Sequence, residues 1–475
     1  MPGDYTVSFK KDGFGSAITG SRTPFRVHIG SGGDLVPLSA ELTQLATVSG
    51  RVLDSEGHPI PNLAVQLSTA SRMSHIMLLS SRDTDKEGRF TFAKMWPGAY
   101  LLEALPVESS LRGVIAVNGA PPKKVEERKP PAPPPSVKGQ RWMWVNTFYP
   151  GVVERGQAER IVVRPGWEMT GYDIRLRAVP VYRVRGVVFG EDGKRAAGVA
   201  VGITAADRLE HDSDGVKSGE DGTFEFPSVH QGDWRLMALY QKRDQPLSRE
   251  PGLRGFAEAM VARHDLENLV IHLSSPFSVS GVVEREEPRD AKGNRETTSV
   301  VLESATHGWG ASARHQQDGT FRIDNIYPDR YRIGTYGAPP GFYVESIRLG
   351  ENDVTGQGVE LTPASPPLRI VYRAGAGRVR GTVENGGGAT VVLLPRNEAL
   401  LTNQFIRSAK CDGDGRYEIG SLKPGDYYLL AFPQADLTAL EDPDFVRPLA
   451  AQAVSVQVDN GRVTPADLKV TPWPE

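Results

Sequence analysis

A chain of 475 residues, 39 % hydrophobic and 24 % charged, has the balance of globular material and is too long for one hydrophobic core. Its net charge of −3, without blocks of like charge, argues against a nucleic-acid or anionic-membrane surface. No apolar run approaches the ~18 residues of a bilayer span, and a single cysteine, Cys411, excludes a disulfide framework and a cysteine metal cluster.

The chain opens in the middle of a pattern. Pro2-Gly3-Asp4-Tyr5 matches Pro424-Gly425-Asp426-Tyr427 residue for residue. A strand is expected near Phe25-Arg26-Val27, then alternation at Leu38, Ala40 and Leu42. Residues 1–45 therefore read as the C-terminal half of a truncated sandwich unit. The parent protein is expected to continue upstream of Met1, with any signal peptide there.

Four full copies follow. Each begins with a small β signature: Val48-Ser49-Gly50-Arg51-Val52, Val184-Arg185-Gly186-Val187-Val188, Val279-Ser280-Gly281-Val282-Val283 and Val379-Arg380-Gly381-Thr382-Val383. After 38, 36, 38 and 34 residues comes a turn glycine: Gly88, Gly222, Gly319 and Gly415. An acid precedes each: Glu87, Asp221, Asp318 and Asp414. Two residues after each glycine stands Phe90, Phe224, Phe321 or Tyr417. Twelve residues after it stands Tyr100, Trp234, Tyr331 or Tyr427, read as a core plug that opens a strand. Copies this regular mean an array of like domains.

The signature glycines stand 136 residues apart from Gly50 to Gly186, 95 from Gly186 to Gly281 and 100 from Gly281 to Gly381. About 100 residues is the size of one small sandwich. The expected units are 46–180, 181–275, 276–375 and 376–475, each owning a core. The first is longer because of a Pro-rich insert at about 106–141. Its densest part, Gly119 to Gln140, holds seven prolines among Lys and Glu and reads as an extended, solvated loop. Short links, such as the 8 residues from Leu273 to Gly281, predict a semi-rigid row.

The last copy shows the expected elements. Val379 to Val383 starts a strand, and Thr390-Val391-Val392-Leu393-Leu394 is an apolar run of strand length. Asp412-Gly413-Asp414-Gly415 is a hairpin turn, Arg416 to Ile419 alternates, and Pro424-Gly425 turns into a strand from Tyr427 to Phe432. Val454, Val456 and Val458 alternate, and Leu468-Lys469-Val470 closes the unit. About seven short strands make an antiparallel sandwich, so the fold class is all-β, a tandem array of seven-stranded β-sandwiches.

The Val-x-Gly-x-Val opening, the turn Asp221-Gly222-Thr223-Phe224 and the turn Pro97-Gly98-Ala99-Tyr100 together resemble the carboxypeptidase regulatory-like domain, a prealbumin-like sandwich. The resemblance covers nearly the whole chain. It departs at Gln231-Gly232 and Pro328-Asp329, which still permit a turn. The segment Tyr343 to Leu361 is similar to multi-repeat envelope proteins of environmental bacteria such as acidobacteria. The family implies a folded accessory module; it does not imply peptidase activity.

Chemical candidates are few. His264-Asp265-Leu266-Glu267 has the HxxE spacing of zinc carboxypeptidases, with His307 or His315 as a further ligand. It lies in a strand-rich tail, and the α/β catalytic domain that chemistry needs is missing. Asp412-x-Asp414-Gly415 looks like the start of a calcium loop, but a strand follows where further ligands are needed. His211-Asp212-Ser213-Asp214 reads as a polar loop. Isopeptide-forming sandwiches need a Lys on the first strand, where this chain has Arg51, Arg185, Ser280 and Arg380. No G-x-S-x-G, P-loop or HExxH occurs. No catalytic residue, metal or cofactor is expected.

Aromatics give the binding candidate. Trp142 and Trp144 share one face of a strand, with Tyr149 and Trp167 near in sequence and Trp309 between glycines. They form a candidate carbohydrate platform; the plainer reading is that they cap a sandwich. The expected function is non-enzymatic: structure, spacing, adhesion or interaction at the bacterial envelope or outside the cell. The expected partners are polysaccharide, other envelope proteins and neighbouring upstream repeats. The alternatives are a carbohydrate-binding array and an accessory region of a larger enzyme or TonB-dependent receptor.

Overall fold

The structure, a computed structural model, describes residues 3–7, 11–16, 25–29, 42–69, 78–106, 140–207, 214–241, 252–286 and 298–474, except 308, 338, 340, 434, 436 and 438. The expected strand alternation at Leu38 and Ala40, the Pro-rich stretch before Gln140 and the His211-Asp212-Ser213 loop lie outside the described residues.

The second sandwich shows the plan. Its seven strands are Arg177–Phe189, Ala200–Ala205, Asp214–Lys217, Thr223–His230, Gly232–Tyr240, Leu253–Val261 and Leu266–His272. In one sheet the first strand pairs antiparallel with the fourth and parallel with the seventh. The other sheet runs in the order third, second, fifth, sixth, all antiparallel. The turn at Gln231 thus carries the chain from one sheet to the other. Alternating residues of both sheets meet in a core that includes Val184, Ile203, Phe224, Phe226, Leu236 and Ile271.

The plan recurs with additions. In the first sandwich the first strand is Ala46–Leu53, the fourth Arg89–Met95 and the fifth Gly98–Leu105. Between its fifth and sixth strands, Trp142–Val145 pairs antiparallel with residues 177–180, the start of the second sandwich's first strand. The third sandwich begins with Phe277–Glu286 and ends with Leu368–Ala374. An extra hairpin, Phe342–Leu349 and Asn352–Asp353, precedes its sixth strand and pairs with that last strand. This hairpin falls in the segment that set the third copy apart in sequence.

In the fourth sandwich, Thr390–Pro395 is buried on both faces. Val391 and Leu393 face the sandwich core, while Val392 and Leu394 face a second cluster with Leu430, Phe432, Val446 and Leu449. A strand covered on both sides reads as a continuous apolar run, which this one does. The outer cover is a helix, Pro443–Leu449, capped by Asp442 through Asp444 N at 3.0 Å, with Trp473 packed edge-on to Phe432. Sequence periodicity does not reveal it.

Near the start, Gly3–Val7 pairs antiparallel with Phe25–Ile29, Tyr5 opposite Val27. The fifth and sixth strands of the fourth sandwich pair with Tyr427 opposite Val456. The Pro-Gly-Asp-Tyr match thus extends to the pairing.

One expectation changes. The third sandwich does not own all of its core. Phe405, from the loop joining the second and third strands of the fourth sandwich, is buried in the third core, and Leu400 packs against it. Eleven residues separate Pro395 from Arg407 in that loop, enough chain to reach the neighbour's open edge.

Candidate functional site

The repeat signatures form one structural device. Each signature glycine lies directly opposite the aromatic that follows the turn: Gly50 with Phe90, Gly186 with Phe224, Gly281 with Phe321 and Gly381 with Tyr417. A Cβ at these glycines would collide with the carbonyl oxygen of Tyr172, Leu269, Leu368 or Ala466 on the seventh-strand side. Glycine is required because a neighbouring backbone, joined at Gly50, Gly186 and Gly281 by the ring, occupies the space of a side chain. In the first strand of every copy the ladder shifts register just before the signature glycine.

The aromatic twelve residues after the turn glycine forms a corner. Tyr100 Oη donates to Trp96 O at 2.8 Å, Tyr331 Oη to Tyr327 O at 2.9 Å and Tyr427 Oη to Lys423 O at 2.6 Å. In the second copy Trp234 Nε1 donates to His230 O at 3.0 Å. Each bond reaches back four residues and braces the turn between sheets, which fixes both spacing and residue type. Burial pushes the Tyr427 hydroxyl up to about 12.

The turn acids divide into two geometries. Asp221 and Asp318, just before their glycines, accept the amide and hydroxyl of Thr223 and Thr320. In the other two copies the acceptor stands three residues before the glycine. Asp85 Oδ1 accepts from Glu87 N and Arg89 N, and Asp412 Oδ1 from Asp414 N and Arg416 N. Asp414 instead pairs with Arg416 at 2.9 Å. The calcium-like pair is thus spent on a turn and an ion pair.

The zinc-like residues are likewise committed. His264 Nδ1 lies 2.9 Å from Asp265 O, and Asp265 accepts Arg183 N at 2.8 Å and Arg183 Nε at 2.9 Å. His315 Nδ1 lies 2.7 Å from Gln316 O. On the first strands, Arg51 pairs with Asp173 at 2.7 Å and Arg185 with Glu225 at 2.6 Å.

The four tryptophans do not form one surface. Trp142 and Trp144 lie on one strand opposite Pro180 and Ala178, but Trp144 packs against the first core and Trp142 is half-buried. Trp309 sits against the third core, its ring 5.9 Å from Tyr327 and 5.3 Å from Tyr331. Trp167 is 54 % exposed, with the Arg164 guanidinium 4.9 Å over its ring. Tyr149 packs at 5.3 Å on Tyr172.

Two seams between sandwiches hold the richest chemistry, and sequence reasoning missed both. At the first seam the ring of Phe256 of the second sandwich packs, tilted, 4.3 Å from that of His307 of the third. Arg235 Nη1 donates to Thr306 O at 2.7 Å, and Tyr327 Oη donates to Gly252 O at 2.6 Å. Arg254 lies 4.8 Å over the Tyr327 ring. His307 Nδ1 lies 3.0 Å from Asp329 Oδ2, which also accepts Ser304 Oγ at 2.6 Å. Burial opposes ionisation of Asp329, but the bonds from His307 and Ser304 outweigh it and hold the carboxyl below its usual range. These are the residue types of a hydrolase triad in the wrong arrangement. Hydroxyl and imidazole both serve the carboxylate, and His307 is buried under Phe256.

The second seam joins the third and fourth sandwiches. Besides Phe405, Gln404 Nε2 donates to Thr335 Oγ1 at 3.1 Å, and Lys423 Nζ donates to Glu345 O. Arg373 bridges Glu286 at 2.7 Å and Glu345 at 3.0 Å. A cavity of about 200 Å³ opens between the two sandwiches, lined by residues of both, Arg407 and Tyr336 among them.

Fold and seams together define a tandem array of prealbumin-like sandwiches. Residues 47–117, starting in the first sandwich's opening strand, match the carboxypeptidase regulatory-like domain family. The chain is 24 % identical over 303 residues to Colossin-A of Dictyostelium discoideum, a match covering 57 % of this chain and 3 % of that protein. The chain thus spans a small part of that relative. Among solved structures, a Streptococcal ancillary pilin is 12 % identical, covering 60 % of this chain and 98 % of its own, with a TM-score of 0.19. Two B repeat units of the collagen-binding protein of Staphylococcus aureus are 8 % identical, covering 83 % and 94 %, with a TM-score of 0.17. The minor pilin of Streptococcus agalactiae is 11 % identical, covering 42 % and 98 %, with a TM-score of 0.20. Among the described residues no helix is long and apolar enough to cross a membrane.

Proposed function

We propose that the chain is a non-enzymatic row of four regulatory-like sandwiches, at 46–180, 181–275, 276–375 and 376–475, following the second half of another in 1–45. Its role is structural, adhesive or interactive, at the bacterial envelope or outside the cell, alongside other envelope proteins. The observation that carries this reading is the reuse of one device four times, joined by seams that take side chains from both neighbours. A chain built this way invests its chemistry in holding units together. The candidate acids and histidines serve turns, ion pairs and seams, which supports the non-enzymatic part. Labelling intact cells of the source organism with antibody against this chain tests the location. Signal without permeabilisation is expected; signal only after lysis contradicts it.

The exposed ring of Trp167 favours carbohydrate binding as a second reading. Trp167→Ala should then abolish retardation in a gel containing soluble polysaccharide at an unchanged melting temperature. Unchanged retardation, or none in the parent chain, removes this reading. The double change Trp142→Ala and Trp144→Ala is expected instead to lower the melting temperature, because Trp144 packs on the first core.

A further inference from the structure

We propose that the cavity between the third and fourth sandwiches binds a sugar acid, the ring carboxylate of an acidic polysaccharide pairing with Arg407. This does not rest on the envelope reading, since it follows from the cavity's own groups. Arg407 opens the third strand of the fourth sandwich and lines the cavity. Its guanidinium donates from Nη1 to Ile406 O at 3.2 Å, and among the described residues no carboxylate lies within ion-pair distance. It is partly withdrawn from water, which disfavours its charge. A half-buried guanidinium without a counter-charge, facing an open cavity, is a site for an anion.

The remaining groups select the kind of anion. The other cation, Lys423, is held by Glu345, through the backbone oxygen and at 3.9 Å from Oε2. Among the described residues one free positive charge therefore faces the cavity, which suits a single carboxylate taken bidentate by the guanidinium, and not a phosphate needing several cations. Around it stand neutral hydrogen-bonding groups: Asn403, and the Thr335 and Gln404 pair, which bond each other across the seam and keep the Thr335 hydroxyl proton and the Gln404 carbonyl oxygen to match hydroxyls rather than further charge. Tyr336, 52 % exposed, offers a flat ring at the wall. About 200 Å³ accommodates a small ring and excludes a folded partner.

The test is calorimetric titration of the full 475-residue chain with trigalacturonate at low salt, with maltotriose as the neutral control. Saturable binding of trigalacturonate and none of maltotriose is expected. Arg407→Met should weaken it about tenfold or more, the loss of a charge-assisted pair, and Arg407→Lys should restore part of it. Tyr336→Ala, at an exposed position, should weaken it with the fold intact. If Arg407→Met fails to fold, Tyr336→Ala decides. The proposal is overturned by no saturable binding, by equal binding of maltotriose, or by unchanged affinity in Tyr336→Ala or in a folded Arg407→Met. It is also overturned if a glutamate-rich peptide binds more tightly than trigalacturonate, which would assign the cavity to a protein segment.

Discussion

At the scale of single residues, the glycine that opens each copy and the ring opposite it are one unit. Gly281 has Leu368 O and the Phe321 ring where a methyl group would go. Gly281→Ala should cost about 1–3 kcal/mol through overpacking. Gly413→Ala, whose Cβ enters open space, should stay within about 0.5 kcal/mol. Urea unfolding of the two variants checks the contrast. Asp329 gives a pH signature. Its folded carboxyl titrates below the ordinary value of 3.8, so its bonds stabilise the protein above about pH 4 and are lost as pH falls through the folded value. Asp329→Asn should lower the melting temperature at neutral pH, and the gap to the parent chain should close as pH drops below about 4. A gap that persists at low pH would mean that the carboxylate charge is irrelevant at this seam.

At the scale of elements, what could be read from sequence was whatever is fixed by local spacing. The corner aromatic recurs because its bond reaches back only four residues, and the turn glycine and the ring two residues on recur because their spacing from one another is fixed within one turn. The fold class followed from them. The two geometries of turn acid were not legible, since Asp85 and Asp221 occupy different offsets yet brace the same turn. The apolar run from Thr390 was visible, but its two-sided burial depends on a helix too short for periodicity that begins at Pro443 and contains Pro448. Leu449 closes that outer layer. Leu449→Ala should cost about 2–5 kcal/mol and expose the outer face of the fourth sandwich, read as increased dye binding and a lower melting transition. An unchanged transition would show that the cover adds nothing to the sheet beneath it.

At the scale of the whole molecule, the seams were hidden because they join residues distant in sequence. Arg235 reaches Thr306, Phe256 reaches His307, and Phe405 enters a core whose other members begin at Val279. Short links already predicted a semi-rigid row; shared side chains add mutual stabilisation. The third sandwich is completed by its neighbour. Hydrogen–deuterium exchange on the full chain carrying Phe405→Ala tests it most directly. Protection should be lost in the third sandwich, at Ser299–Ser304 and Asp329–Tyr336, although the substitution lies in the fourth. Lost protection confined to residues 377–470, with the third sandwich unchanged, would contradict it.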